Sequence, residues 1–228
     1  MSLPAPLPLV IERVRPTDGG AELTLEVSGH QTVVVLGDGR SGVGRLGGFA
    51  LGLERPPLGC VRVLGTVIAD LPEDDRLAFR RRVGYLPAGD GLVHNLTLRD
   101  NVALPLRFGS PAGAREIEGR VNVLLAAVRL GGVAALRPAQ ASDEERRRAA
   151  LARALAFDPA LLVLEQPFEG VTPRVAGELL ELARGGESAE GARRALLITA
   201  PDLHPVLQRR VERVYRLTRR GALVVEPS

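Results

Sequence analysis

Residues 33–46 read VVVLGDGRSGVGRL, a run of branched apolar residues followed by a stretch dense in glycine. The apolar part, from Thr32 to Leu36, is typical of a strand in a sheet that is covered on both faces. Glycine-rich turns between a buried strand and a helix can direct backbone N–H groups toward an anion. The stretch therefore predicts an α/β protein with a phosphate loop over residues 37–44, although such turns also occur without a ligand.

The rest of the chain alternates between strand and helix patterns. Strands are predicted at residues 23–27, 61–67, 83–86, 161–164 and 195–199, and a closing hairpin at 213–217 and 222–225. Helices are predicted at residues 72–82, 114–130, 144–156 and 175–183. Strands that alternate with helices favour a largely parallel sheet. Residues 185–191 are small and polar, and we expect them to form a surface loop.

The composition excludes several classes of protein. The chain has 228 residues, of which 45% are hydrophobic and 25% charged, as in a soluble globular domain. One cysteine (Cys60, expected to be a small buried residue) and three histidines leave no basis for a disulfide framework or a metal site. We read no signal peptide and no membrane span, and we expect a cytoplasmic setting. All 30 basic residues are arginine, and with 3% aromatics their runs indicate solvated faces rather than a nucleic-acid surface.

Three further segments carry a family resemblance. They read RRRVGYLPAGDGLVHNLTLRDNVALPL at 80–106, RPAQASDEERRRAALARALAFDPALLVLEQPFEGVTP at 137–173 and ALLITAPDLHPVL at 195–207. Together with the glycine loop they resemble the nucleotide-binding domain of ATP-binding-cassette (ABC) transporters, from about residue 10 to the end. The phrase RRAALARA at 147–154 is most similar to the Mla-type ATPases of bacterial lipid trafficking.

The resemblance implies a P-loop NTPase-like core with a mostly parallel sheet, an antiparallel β part and an inserted helical subdomain. Within a single ABC-type domain over 1–228, the core would span about 1–87 and 154–228 and the helical subdomain about 88–153. It also implies two subunits that face head to tail, with each ATP between the loop of one and the signature segment of the other.

Several positions depart from the family pattern. The loop keeps Gly37, Gly39 and Gly42, but Val43 stands at the lysine position and Gly44 at the hydroxyl that would hold Mg²⁺; Arg45 follows. Residues 15–20 lack the aromatic residue that stacks on adenine in the family. At the family's other functional positions, Ala88 replaces a glutamine, Asp143 and Glu144 replace the signature glycines, and Glu165 and Gln166 replace the two catalytic carboxylates. Thr172 replaces an aspartate, and Ala200 (or Pro201) replaces a histidine.

Some of these residues also have structural interpretations. Arg40 and Arg45 are candidate anion contacts in place of lysine, or else solvated or packing side chains. Asp143, Glu144 and Glu145 fit the acidic first turn of a helix that is N-capped by Ser142.

From these departures we expect a pseudo-ATPase that serves as a structural or regulatory subunit of a membrane transport complex. The chain would not be an enzyme, Glu165, Gln166 and Ala200 would be vestigial, and Mg-ATP would not bind tightly. Two alternatives remain open, namely a functional ATP-binding subunit of a lipid or other ABC transporter with atypical motifs, and a nucleotide or anion sensor without turnover.

The partner is expected to be a membrane protein, with the chain at the cytoplasmic face of the inner membrane and in a homodimer or heterodimer. The resemblance places a docking groove for a transmembrane subunit near residues 89–106. Leu92, Val93 and Leu96 are the candidate groove residues of this apolar segment, about half of which also fits ordinary core.

Overall fold

The computed structural model describes residues 6–18, 22–185, 194–218, 220 and 223–225. Two sheets organise these residues. A three-stranded sheet has the order β2-β1-β4, and a six-stranded sheet has the order β5-β6-β7-β3-β8-β9. The strands are β1 Leu9–Val14, β2 Leu23–Val27, β3 Thr32–Leu36, β4 Cys60–Val63, β5 Val83–Leu86, β6 Leu161–Glu165, β7 Ala195–Ala200, β8 Arg213–Leu217 and β9 Leu223–Val225.

The larger sheet is parallel from β5 to β8, and only β9 runs antiparallel to its neighbour. Strand β3 lies inside this sheet, and all five of its residues are buried. Val34 and Leu36 pack into the core on one face, while Val33 and Val35 pack into the core on the other. The branched run at the start of the glycine stretch is therefore covered on both sides, as its sequence predicts.

The smaller sheet is antiparallel, because β1 pairs with β2 on one side and with β4 on the other. The predicted α/β class, with a parallel sheet and an antiparallel β part, is confirmed. Strand β1 was not predicted, and the strand expected at 61–67 ends at Val63. Leu64 and Gly65 follow with φ values of 48° and 81°, a left-handed turn that extended pairing cannot continue. Cys60 is half-buried, with its Sγ 3.4 Å from Glu12, rather than a buried apolar residue.

Seven helices lie in the described residues. They are α1 Leu46–Ala50, α2 Glu73–Arg80, α3 Leu98–Gly109, α4 Ala114–Ala127, α5 Asp143–Ala154, α6 Pro173–Arg184 and α7 Pro205–Gln208. None of them is long and apolar enough to cross a membrane. Helices α3, α4 and α5 fall in the range expected for the helical subdomain, whose boundaries stay a prediction. The loop expected at 185–191 extends beyond the described residues, which stop at 185 and resume at 194.

Helix α3 was not predicted, because it contains Pro105. Proline has no N–H group and usually ends or kinks a helix. Here the start of the helix is well satisfied, since the Thr97 hydroxyl accepts the Asp100 N–H as N-cap. The buried Asn101 side chain accepts the Val93 N–H at 2.7 Å and donates to the Val93 carbonyl at 3.1 Å. These bonds join α3 to the loop that precedes it.

Gly84 in β5 offers a test of how tightly this edge of the sheet is packed. An added Cβ atom would lie 2.3 Å from Cδ2 of Leu162 and 2.4 Å from the Ala154 carbonyl oxygen. We expect Gly84→Ala to lower the free energy of unfolding by about 1–3 kcal/mol in urea titrations, as overpacking does. Gly119→Ala in α4 is the control, because its Cβ meets no atom within 4 Å and should be neutral or stabilising. Equal stability of both variants would contradict this packing.

Candidate functional site

The glycine loop follows β3 and leads into α1. Gly42 has φ 84°, in the left-handed region that favours glycine. A Cβ atom there would lie 2.7 Å from Cβ of Pro16 and 2.8 Å from Cγ2 of Thr17. The loop is therefore packed against the Pro16–Thr17 segment, and both its backbone and its surroundings require glycine at position 42.

Hydrogen bonds within the loop use several of its own donors. Oδ1 of Asp38 accepts the Arg40 N–H at 3.0 Å, and the Asp38 carbonyl accepts the N–H and the hydroxyl of Ser41 at 3.0 and 2.7 Å. The Ser41 Oγ in turn accepts the Val43 N–H at 3.3 Å. The Asp38 carboxylate thus occupies a donor that a phosphate group would otherwise use.

The three positions after Gly42 take different environments. Val43 is buried in the core beneath the loop, and Gly44 is exposed. The Arg45 guanidinium donates to the Pro16 carbonyl at 2.6 Å and to Glu54 at 2.7 Å. Its position beside the loop is therefore a packing role, one of the two interpretations left open by the sequence. Arg40, by contrast, is exposed at the tip of the loop.

Glu165 and Gln166 lie at the same edge of the sheet as the loop. The Gly37 N–H donates to the Ala200 carbonyl at 2.9 Å, and the Gln166 N–H donates to the Thr199 carbonyl at 2.7 Å. The carboxyl ends of β3, β6 and β7 are thereby held together. Ligands bind at this edge in open α/β sheets. Of the three predicted vestigial positions, only Ala200 has no polar side-chain atom.

The Glu165 carboxylate is nearly buried and has defined neighbours. Its Oε2 accepts the Ala88 N–H at 3.3 Å, and the Tyr85 ring lies beside the carboxylate. Burial raises the pKa of Tyr85, and the negative charge of Glu165 raises that pKa further. The phenol is therefore a neutral donor beside the carboxylate. Neither Tyr85 nor this contact was found by sequence reasoning, because an aromatic residue in a strand is most often only core.

Beyond Gln166, a cavity of about 400 Å³ opens at the ends of β6 and β7. Its polar lining residues are Gln166, Glu169, Asp202 and His204. Gln166 has φ 48°, which is unusual for a residue with a side chain, and its backbone bond to Thr199 holds it there. The His204 Nδ1 accepts the Val206 N–H at 3.2 Å and so begins α7. The cavity gives the site open space beside the Gln166 amide.

The segment at the signature position begins α5. Ser142 is its N-cap, as predicted, with its Oγ accepting the Glu145 N–H at 3.3 Å and the Glu145 carboxylate accepting the Ser142 N–H at 2.8 Å. Asp143 and Glu144 lie in the first turn, where acidic side chains are favourable. The acidic residues therefore have a structural role in starting the helix.

The predicted groove residues are placed differently from expectation. Leu92 is only 4% exposed and belongs to the core, so it does not line a groove; this part of the prediction is wrong. It faces inward because the Asn101 side chain holds the neighbouring Val93 backbone against α3. Val93 is 37% exposed and Leu96 half-buried.

A different cavity, of about 550 Å³, lies at the free edge of β5, and we refer to it as the β5-edge groove. Its lining residues are Leu77, Arg80, Arg81, Val83, Gly84, Tyr85, Leu104, Pro105, Phe108, Gly109, Arg153, Ala154 and Phe157. Phe108 is 85% exposed and Leu77 53%. Arg153 also donates to the carbonyls of Gly91 and Asp90, at 2.7 and 2.9 Å. Phe108 lies two residues beyond the segment 89–106 in which the sequence predicts the groove.

Comparison with known proteins adds three findings. The family model described as ABC transporter matches residues 21–169. The lipoprotein-releasing system ATP-binding protein LolD of Pseudomonas syringae pv. tomato is 33% identical over 205 residues, which are 90% of this chain and 87% of that protein. The methionine import ATP-binding protein MetN 2 of Paraburkholderia xenovorans is 33% identical over 165 residues, and the chain spans 42% of its length.

Among solved structures, the dimeric ATP-binding cassette MJ0796 bound to ADP and Pi matches with a TM-score of 0.80 at 22% identity. The match covers 96% of this chain and 97% of that one. It shows that the fold extends over nearly the whole length.

Asp38→Asn tests whether the loop carboxylate opposes phosphate binding. A like charge within about 4 Å of a phosphate costs about 1 kcal/mol in water, so we expect the affinity for ATP to rise about fivefold or more. Isothermal titration with Mg-ATP measures the change. Asp75→Asn on exposed α2 removes the same charge away from the loop and should leave the affinity unaltered. Weaker binding by Asp38→Asn would contradict the prediction.

Proposed function

The chain belongs to the ABC transporter family, and on this basis we propose that it is a working ATP-binding subunit of an ABC transporter. The observation that carries the proposal is the match to LolD proteins over 86–90% of the chain and 81–87% of their length. The extent of this match supports the same kind of subunit.

The predicted pseudo-ATPase, and with it the prediction that the chain is not an enzyme, is overturned by these relatives. They are ATP-binding subunits of transport systems, and the alternative of a functional ATP-binding subunit with atypical motifs agrees with them better. The error came from counting altered side chains at positions such as Val43 and Gly44. It gave too little weight to the groups that persist, which are the loop backbone and the carboxylate of Glu165.

The residues at the site can hold a magnesium nucleotide, although only a few of their groups would contact it. Magnesium is usually held by one or two carboxylates together with phosphate oxygens and water. No set of three or more His, Cys, Asp or Glu in the described residues could hold a metal by itself. Glu165 would therefore hold Mg²⁺ together with the nucleotide, and bound Mg²⁺ supplies positive charge beside the phosphates.

The chain's own residues would then divide the remaining roles. Backbone N–H groups of the glycine loop and the exposed Arg40 would hold phosphate oxygens. The Gln166 amide would orient a water in the adjoining cavity. Because Val43 carries no charge and Gly44 no hydroxyl, we propose that the isolated chain binds Mg-ATP weakly.

For the cargo we propose a lipid-linked molecule. The LolD relatives, named for a lipoprotein-releasing system, match 86–90% of the chain, whereas the MetN 2 relative is more than twice as long as its matched part. The likeness of 147–154 to Mla-type lipid trafficking stays a prediction that points the same way.

For the partner we propose a cytoplasmic segment of a membrane subunit, seated in the β5-edge groove at the inner membrane. Phe108 and Leu77 present apolar surface to it, and Arg80, Arg81 and Arg153 place positive charge around the same space. An amphipathic segment with apolar anchors and an acidic side chain has the complementary chemistry. This groove replaces the one predicted at Leu92.

Hydrolysis by the purified chain tests the proposed function. We expect Mg-ATP to release phosphate, and Glu165→Gln to lower the rate about tenfold or more, because the carboxylate charge beside Mg²⁺ is lost. A coupled phosphate assay at saturating ATP measures both. Asp75→Asn serves as the purification control. Equal phosphate release by the unaltered chain and Glu165→Gln would assign the activity to a contaminant and contradict the proposal.

Phe108→Asp tests the docking groove. Loss of an apolar anchor that the membrane subunit would bury should weaken binding to that subunit by about 2 kcal/mol or more. We expect this variant to keep the circular dichroism spectrum of the unaltered chain but no longer to sediment with native inner-membrane vesicles. Val123→Asp on α4, which is also exposed, should sediment like the unaltered chain. Equal sedimentation of both variants would exclude the β5-edge groove.

A further inference from the structure

Gly47 of α1 lies directly against the carboxylate of Glu165. A Cβ atom on Gly47 would lie 2.3 Å from Oε1 and 3.3 Å from Cδ of Glu165, and 3.3 Å from Cε2 of Tyr85. A contact of 2.3 Å is far inside van der Waals distance. Any side chain at position 47 would therefore displace Glu165 or Tyr85.

The backbone does not explain this glycine. Gly47 is not among the residues with positive φ, and it lies in a helix, where glycine costs about 1 kcal/mol relative to alanine. What remains is the space above it, which the Glu165 carboxylate fills.

The two oxygens of Glu165 have different surroundings. Oε2 accepts the Ala88 N–H at 3.3 Å, while Oε1 is directed toward the helix that follows the glycine loop. The Tyr85 ring forms the adjoining wall, with its hydroxyl toward the same carboxylate. A glutamate is one methylene longer than an aspartate, so its carboxylate reaches farther from β6. Gly47 leaves room for that extra length.

We propose that Gly47 and Tyr85 are positioning residues that seat the longer carboxylate of Glu165 for Mg²⁺. Gly47 provides the space and Tyr85 the lateral donor. The inference rests on the proposed function for the metal, but the fit between positions 47 and 165 is a property of the packing alone. We therefore expect a side chain at position 47 to be tolerated only when residue 165 is shortened as well.

A double-mutant cycle tests whether positions 47 and 165 are coupled in metal binding, with Mn²⁺ as the probe in place of Mg²⁺. The variants are Gly47→Ala, Glu165→Asp and the double variant, each titrated with Mn²⁺ in the presence of ATP. Water proton relaxation enhancement reports Mn²⁺ held on the protein, independently of turnover. Gly119→Ala on α4 is the control, since its Cβ would meet no atom within 4 Å and the position lies on a different helix.

We expect Gly47→Ala to weaken Mn²⁺ binding at least fivefold, and the double variant to recover to within twofold of the unaltered chain. Gly119→Ala should stay within twofold of the unaltered chain. Tyr85→Phe keeps the ring and removes the donor. It should weaken Mn²⁺ binding about threefold while leaving the melting temperature within 2 °C, a result that a purely structural role would not give.

The outcomes separate this inference from the proposed function. If the unaltered chain holds no Mn²⁺ with ATP, the proposed function fails, and the assignment of a metal to this seat fails with it. Two results would overturn the positioning role alone. In the first, the unaltered chain and Gly47→Ala bind Mn²⁺ equally; in the second, the double variant binds Mn²⁺ no better than Gly47→Ala. If Gly47→Ala does not fold, Tyr85→Phe and Glu165→Asp decide the question. Glu165→Asp should weaken Mn²⁺ binding, because the shorter side chain leaves the space above Gly47 empty.

Discussion

The site depends on two backbone hydrogen bonds that cross the ends of three parallel strands. Gly37 donates to the carbonyl of Ala200, and Gln166 donates to that of Thr199. Because these bonds use only main-chain atoms, they hold the start of the glycine loop, Glu165 and the turn after β7 together without help from the side chains of Val43 or Gln166. Altered side chains at such positions are therefore compatible with the architecture, whereas Gly42 and Gly47 have no room for a side chain. A buried sheet that pairs all of its central strands provides this tolerance.

Much of the fold could be predicted because its signals are local. Continuous apolar runs identified β3 and β6, and the capping pattern at Ser142 identified the start of α5. Helix α3 was missed because Pro105 is unusual inside a helix, and the contacts of Asn101 with the loop before the helix leave no periodic pattern in the sequence. The turn that ends β4 depends on left-handed residues that no periodicity reveals.

The candidate site could likewise be predicted only in part from the sequence. Sequence patterns located Gly37, Glu165 and Gln166, but not the orientation of their neighbours. Arg45 lies beside the loop in sequence, yet it packs on Pro16 and Glu54. Predicting inactivity from the altered side chains failed for a related reason, since a phosphate loop works mainly through its backbone. A residue-by-residue comparison does not register that contribution.

Arg153 connects two places that are otherwise separate. Its guanidinium lines the β5-edge groove and holds the Asp90 and Gly91 carbonyls, in a stretch where Gly89, Asp90 and Gly91 all have positive φ. The same loop begins at Ala88, whose N–H binds Glu165. A carboxylate bound in the groove would compete for this guanidinium and would thereby link occupancy of the groove to the geometry at Glu165. Such linkage is reciprocal: whatever stabilises the loop at Glu165 must change the affinity of the groove by the same factor.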